Sequence, residues 1–478
     1  MKISFFALFL FFVAPVFAQD QVVRDIKSFG AKGDGKTNDH EAFQRAAAFF
    51  NARGGNGRLV ISKGVYLVGK QIFNQNTTKE AVYEGQDLLH FTNVKNLTIE
   101  GLNRPVIRYR SGLHFGSFVP ATGEPSSNGG NFYNYAYAGT IRNAIELTNC
   151  QNIQIQNLEL DGNSNGFVLG GSWGDVGRQL PHSGIWLADA TNVTVTNVNV
   201  HHFGLDGMVV SNATGKSKTK DAILISNSKF EYNARQGLSW VGGNDLTAIK
   251  TSFSQTGKGK YMSSPGAGLD IEAEVGGVSN GKFLNCQFVN NSGCGMVAES
   301  GPSSDCTFTN CLFWGIDLWT AWIRKPRFHF DSCTFRGSIV HGFSADKDED
   351  ATTFTNCVFE DKPYNGKEVY GGFLIESNYA KRVRFTNCLM HTDKKKLAWV
   401  VAIDNAKPEE KYQFINCQFI YDGANLPVEN NLAYFSGIRY QNCSFESRNP
   451  NAKGKKYFFM GLDSKNNFDL GGNKILLQ

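Results

Sequence analysis

Asn285-Cys286-Gln287-Phe288, Asn310-Cys311-Leu312-Phe313 and Asn356-Cys357-Val358-Phe359 are one phrase, met again as Asn387-Cys388-Leu389-Met390, Asn416-Cys417-Gln418-Phe419 and Asn442-Cys443-Ser444-Phe445. Upstream the same slot reads Asn157-Leu158-Glu159-Leu160, Asn197-Val198-Asn199-Val200 and Asn227-Ser228-Lys229-Phe230, so the repeat outruns the cysteines. Successive units lie about 22 to 40 residues apart, a spacing that suits a solenoid with unequal loops. Apolar residues alternate before each Asn, as in Ile153 and Ile155 or Val193 and Val195, and alternate again after it. Alternation marks strands with one buried face. An Asn between two such strands suits a sharp bend, because its short polar side chain tolerates the left-handed conformation. Stacked Asn side chains can also hydrogen-bond from one coil to the next.

About ten residues further on comes a second phrase, a Gly followed by alternating residues: Gly207-Met208-Val209-Val210, Gly237-Leu238-Ser239-Trp240, Gly295-Met296-Val297-Ala298 and Gly342-Phe343-Ser344-Ala345. Longer loops precede Gly184-Ile185-Trp186-Leu187, Gly268-Leu269-Asp270-Ile271 and Gly372-Phe373-Leu374-Ile375. Each turn of the coil is thus expected to carry three short strands.

This spacing and its Asn ladder resemble the right-handed parallel β-helix of the pectate lyase and polygalacturonase superfamily. The stretch from Phe29 through Gly30-Ala31-Lys32-Gly33-Asp34-Gly35 to Asn38, followed by Ala42-Phe43-Gln44 and Gly64-Val65-Tyr66, resembles the capping segment common to that superfamily. Residues 38–52 read as an amphipathic helix with Ala42, Phe43, Ala46, Ala47 and Phe50 on its apolar face. Such a helix would close the open end of the coil and protect its edge. The expected fold is therefore all-β: a single-stranded right-handed parallel β-helix of about twelve coils, counted from Gly101 to Asn442, with an N-terminal capping helix.

The chain opens with Lys2, an apolar run over residues 3–13 and Val16-Phe17-Ala18, which reads as a signal peptide over residues 1–18. The remainder, 19–478, reads as one β-helix domain whose cap occupies about 22–75. An exported location, periplasmic or extracellular, is expected, with no membrane anchor, because no Cys follows the cut and no later apolar stretch reaches spanning length. A net charge of +5 over 478 residues gives no reason to expect nucleic acid. Cys286, Cys311, Cys333, Cys357, Cys388, Cys417 and Cys443 share one slot and are expected as a buried, mostly reduced ladder, since stacked parallel side chains offer a poor disulfide torsion. No cysteine spacing suggests zinc. His201-His202 is expected in a solvated or hydrogen-bonding turn, and Lys394-Lys395-Lys396 in a solubilising loop.

In the second phrase the Gly and the residues after it resemble the strand that floors the substrate cleft in this superfamily. If the first and third residues after Gly point inward, Glu146, Trp186, Asp270 and Trp322 point out, as do Glu272, Glu299, Arg324, Asp346 and Glu376 two residues further along. Asp270, Glu272 and Glu299 then share a patch with Trp322 and Arg324. Paired carboxylates are what glycoside hydrolysis needs, one to protonate the leaving oxygen and one to activate water or attack the sugar. Loop 254–267, with Lys258, Lys260 and Tyr261, is expected to overhang the patch, and loop 161–183, with Trp173, Arg178 and His182, to form a second wall.

Asp206, in Leu205-Asp206-Gly207, is a further catalytic candidate because polygalacturonases carry an Asn-Thr-Asp-Gly phrase at a comparable place. The next coil reads Arg235-Gln236-Gly237 where that family has paired Asp residues, and neither Gly-His-Gly nor Arg-Ile-Lys occurs. The leading expectation is a secreted hydrolase acting on a polysaccharide or oligosaccharide, with Asp270, Glu272, Glu299 and Asp206 as acids. Its sugar contacts would be Trp186, Trp322, Arg324, Lys258, Tyr261 and Glu146, and it would need no metal or other cofactor. The alternatives are a uronate lyase, in which Arg324, Lys258 and Tyr261 matter more and calcium is possible, and a non-catalytic carbohydrate-binding solenoid.

Overall fold

The computed structural model describes residues 22–477 apart from 128–131, 214–219, 341, 377–379, 394–397, 401–406, 423–434, 436, 449–461 and 463–464. Residues 1–18, read as a signal peptide, and Lys394-Lys395-Lys396 lie outside the described residues. Each coil contributes one strand to each of three parallel sheets. In one coil these are Ile185–Ala188, Thr191–Thr196 and Asn199–His201. We call the sheet of Thr191–Thr196 the first, that of Asn199–His201 the second and that of Ile185–Ala188 the third. Among the described residues the second sheet has fifteen strands, twelve of them from Val106–Tyr109 to Ser444–Ser447, the span over which the sequence repeats about twelve times.

The Asn slot bends the chain from the first sheet into the second. At Asn157, Asn197, Asn227, Asn285, Asn310, Asn356, Asn387, Asn416 and Asn442 φ lies between 49° and 61°, in the left-handed region that Asn tolerates. Lys250 and Ser332 hold the same conformation in the coils that lack the Asn. The amides form the expected ladder: Asn416 donates to Asn387 at 3.1 Å and Asn387 to Asn356 at 3.3 Å. A second ladder, not expected from the sequence, enters the first sheet, where Asn192 donates to Asn152 at 2.6 Å and Asn152 to Asn96 at 2.8 Å.

Inside the coil two columns of rings stack. Phe283, Phe308, Phe330, Phe354, Phe385 and Phe414 follow one another at 4.7 to 4.9 Å between centroids. Phe288, Phe313, Phe335 and Phe359 repeat the pattern one sheet away. These spacings are the strand spacing of a sheet, so one Phe per coil becomes a continuous stack. All ten cysteines are buried and free, as expected of the ladder, and Cys311 donates its thiol hydrogen to the Phe283 carbonyl at 3.3 Å.

Helix α1 (His40–Ala52) buries Ala42, Phe43, Ala46, Ala47 and Phe50, the face read from the sequence. Asp39, just before it, accepts the backbone N–H of Lys32 at 2.7 Å and of Gly33 at 3.0 Å, which ties the glycine-rich segment to the helix start. At the other end Asn51 donates to the His90 carbonyl and accepts from the Thr92 N–H, so the helix is fastened to the edge strand Leu89–Thr92. No helix among the described residues is long and apolar enough to cross a membrane.

Two coils depart from the expected register of the third sheet. The strand read at Gly342 is instead Ile339–Val340, which pairs with Ala321 and Trp322 on one side and with Ile375 and Glu376 on the other. The turn comes earlier, at Gly337 with φ 109°, so Ser344 and Asp346 fall beyond the strand. In the next coil Leu374, expected to point outward, is buried, and Glu376 stands in the row of Trp322 by way of Val340.

Candidate functional site

On the outward face of the third sheet one row runs through Glu146, Trp186, Val209, Ser239, Asp270, Val297 and Trp322, each in register with the next. With about 4.8 Å per rung, Glu146 stands some 19 Å from Asp270 and Trp322 some 10 Å. The two tryptophans and Glu146 are half-buried, as an open floor requires. Val209, Ser239, Asp270 and Val297 are buried, which the alternation did not anticipate. Part of the cover is Leu318 and Trp319, which pack with Trp322 on Ala267, Cys294 and Val297.

At the centre lies a charged cluster. Asp206 has no exposed surface and accepts both prongs of Arg235, Nε at 2.9 Å and Nη2 at 2.5 Å. Burial works to lower the guanidinium, but the pairing with Asp206 and the nearby Asp270 and Glu272 outweigh it and hold Arg235 above its ordinary value. Gln236 accepts the Ala267 N–H at 3.0 Å and donates to Oδ2 of Asp270. Asp270 is fully buried and its Oδ1 has no hydrogen-bond partner. Burial, then the charge of Glu272, pushes its carboxyl well above the usual range, so the neutral acid is favoured. Glu272 is half-buried and also raised, by burial first and by Glu274 next, with Arg235 opposing.

These positions correct two expectations. Asp206 and Asp270 do not face an open cleft; one is locked to Arg235 and the other to Gln236. Arg235-Gln236, noted in the sequence only as a departure from paired Asp residues, are the groups that hold the cluster together. They stand before Gly237 as Leu205-Asp206 stand before Gly207, and the strand register pairs Asp206 with Gln236. Polar residues at that offset are the signal that could have found them.

Glu299 does not sit opposite Glu272. A bulge after Ile271 and Ala298 pairs Glu272 with Ser300, so Glu299 is the extra residue and turns into solvent. Its carboxylate lies 4.0 Å from Arg324, whose guanidinium covers the Trp322 ring at 5.3 Å. Trp319, absent from the sequence-based candidates, meets Trp322 edge-on at 4.9 Å and donates to Glu376 at 3.2 Å. Trp322, Arg324, Glu299 and Glu376 thus form an aromatic and charged rim beside the acid cluster.

The loop residues expected in the cleft are used elsewhere. Loops 161–183 and 254–267 both connect the second sheet to the third, and they pack against each other along one edge instead of forming opposite walls. Lys260 donates from its backbone to Asn165 at 2.8 Å and from Nζ to the Phe167 carbonyl at 3.0 Å. Tyr261 bonds the Gly204 carbonyl at 3.0 Å beneath Arg178, and Lys258 pairs with Asp317. His182 is buried and accepts the Gly204 N–H at 2.8 Å, and burial lowers its imidazole to about 3. At the other end of the row Glu146 accepts from Asn143 at 2.9 Å and lies 3.7 Å from His90, which Asp87 keeps above its ordinary value.

Among the described residues two groups of side chains bring ligand atoms within 4.8 Å of one another, Asp161 with His201 and His202, and His391 with Asp393 and Asp422. Both contain imidazole and lie off the third sheet; neither includes a cleft acid. Their nitrogen donors suit a transition metal better than calcium, which takes oxygen ligands. His201 and His202 hydrogen-bond each other through their Nδ1 atoms at 2.7 Å, in the turn where a hydrogen-bonding role was expected.

Residues 143–321 match a family model described as a right handed beta helix region, and residues 23–87 match one described as rhamnogalacturonase A/epimerase, pectate lyase-like. Plasmin and fibronectin-binding protein A of Streptococcus pneumoniae is 24% identical over 205 residues, 43% of this chain but only 23% of that protein's length. The mannuronan C-5 epimerase AlgE4 A-module of Azotobacter vinelandii superposes with a TM-score of 0.45 at 12% identity over 95% of this chain and 97% of that one. The Agl-KA catalytic domain gives 0.45 at 16% identity over 96% and 69%. The tailspike gp49 of Acinetobacter baumannii bacteriophage Fri1, a capsular polysaccharide depolymerase, gives 0.40 at 14% over 94% and 63%. Likenesses this distant transfer no site. The coil of three parallel sheets and its capping helix make this chain a right-handed parallel β-helix, pectate lyase-like over the segments that the two family models match.

Proposed function

We propose that this protein is a polysaccharide-acting enzyme, a glycoside hydrolase in which Glu272 is the proton donor. One observation carries the reading: Glu272 is a half-buried carboxyl whose protonation is favoured by burial and by neighbouring acids, beside an exposed second carboxylate and an aromatic rim. A general acid must hold its proton near the working pH, and raising a Glu by burial is the usual means. Glu299 is the second carboxylate, placed to activate water or attack the sugar. Trp322 and Trp186 offer ring faces to sugar C–H groups, and Arg324 orients Glu299 and any acidic substituent. Asp270 has no surface to offer a substrate, so it is a buried neighbour of Glu272 that does not touch the sugar, held by Gln236 with the Asp206–Arg235 pair behind it.

Hydrolysis is favoured over β-elimination because Tyr261 and Lys258, the groups a lyase would use as base or cation, are tied to Gly204 and Asp317. The match of the cap to a model named for a rhamnogalacturonase supports a polysaccharide substrate. Such a substrate calls for export, which the leader read at residues 1–18 would provide. A second reading, a non-catalytic glycan-binding solenoid, is favoured by the complete burial of Asp206 and Asp270. Digestion of neutral and uronate-containing polysaccharides separates these readings. New reducing ends without ultraviolet-absorbing unsaturated ends support hydrolysis. Unsaturated ends mark a lyase, to be rechecked with a calcium chelator, and binding without turnover marks a binder.

A further inference from the structure

A second site lies on another face of the solenoid. On the first sheet Arg384, Gln413 and Arg439 stand in register on three successive strands and alternate with the buried Phe385, Phe414 and Tyr440, so they project outward. Together with Arg382, Lys411, Asp348 and Glu409 they line a cavity of about 290 Å³. Four cations face two acids there. Asp348 is already engaged, 3.1 Å from Arg382 and 2.6 Å from Arg384. Lys411 is buried against the Phe468 ring at 5.6 Å.

Arg439 is the exception. Among the described residues no carboxylate lies within 4.0 Å of its guanidinium, and its buried Nε has no hydrogen-bond partner. Leaving a half-buried guanidinium without an acceptor is costly, and an oxyanion is the group that satisfies it best, since the planar fork matches two oxygens at once. Arg384 and Arg439 stand about 10 Å apart across Gln413, enough to hold one such group between them with the Gln amide beneath.

We propose that this cavity binds a tetrahedral oxyanion, sulfate or phosphate, free or carried as an ester on a glycan. The site is independent of the acid cluster on the third sheet and would anchor an anionic chain while another segment lies in the cleft.

Calorimetric titration of the full chain with sodium sulfate and with sodium phosphate, at ionic strength held constant with sodium chloride, tests the proposal. Saturable binding is expected, weakened at least tenfold in Arg439→Gln. A heparin-derived tetrasaccharide binding at least tenfold more tightly than free sulfate assigns the site to esters, and equal affinity assigns it to the free ion. If Arg439→Gln misfolds by circular dichroism, Arg439→Lys keeps the charge but loses the fork and is expected to bind at least threefold more weakly. No saturable binding by wild type, or unchanged binding in the variant that folds, overturns the proposal.

Discussion

Asn387 tests why the repeat has the residue it has. Its φ is 55°, it donates to Asn356 at 3.3 Å and it accepts from Asn416 at 3.1 Å. Replacing it with Ala removes both amide bonds and asks a residue with an ordinary Cβ to stay left-handed. The conformational part costs about 1–2 kcal/mol. The two bonds are solvent-exposed and contribute about 0.5 kcal/mol each, the low end for a hydrogen bond. Asn387→Ala should therefore lose about 2–3 kcal/mol, whereas Asn387→Asp, which keeps the acceptor and tolerates the bend, should lose only the donated bond, about 0.5 kcal/mol. Urea unfolding followed by circular dichroism, compared at equal slopes, gives both numbers. Equal costs for Ala and Asp would refute the claim that the slot is chosen for its backbone conformation.

Two further outcomes follow from the burial pattern. Asp270 has a folded-state carboxyl raised well above its unfolded value, so the stability it contributes is present below about pH 4 and is lost as pH rises through the folded value. Asp270→Asn, which cannot ionise, should thus gain on wild type in urea midpoints from pH 5 to pH 9; a difference that does not change with pH contradicts a protonated Asp270. Ten buried free cysteines, with Cys306 pushed up to about 12 by burial, predict little reaction of the native protein with a thiol reagent and ten thiols after unfolding without reductant. Fewer than ten would show that some of these cysteines are paired in disulfides.

The solenoid was legible because its signals recur once per coil. The Asn bend, the Phe and Cys columns and the capping helix each depend on local conformation or on a neighbour one coil away, and all stand where the sequence puts them. The site was less legible for two physical reasons. Bulges and shifted turns change register without changing the look of the sequence: the bulge at Glu299 parts it from Glu272, and the early turn at Gly337 moves the strand off Gly342. Burial of outward residues also depends on distant segments. Nothing near Asp270 in sequence reports that Trp319 covers its neighbour Val297, or that Arg235 will spend its charge on Asp206. Tyr261 and Lys258 looked free because their partners Gly204 and Asp317 lie more than fifty residues away.

The most direct test of the central claim is the turnover of Glu272→Gln beside wild type on the polysaccharide that wild type cleaves, with binding of the same substrate measured separately. Loss of a general acid predicts a fall in kcat of roughly 10²–10⁴-fold, with substrate affinity held within a few-fold. Activity within threefold of wild type would contradict the assignment of the reaction to this carboxyl.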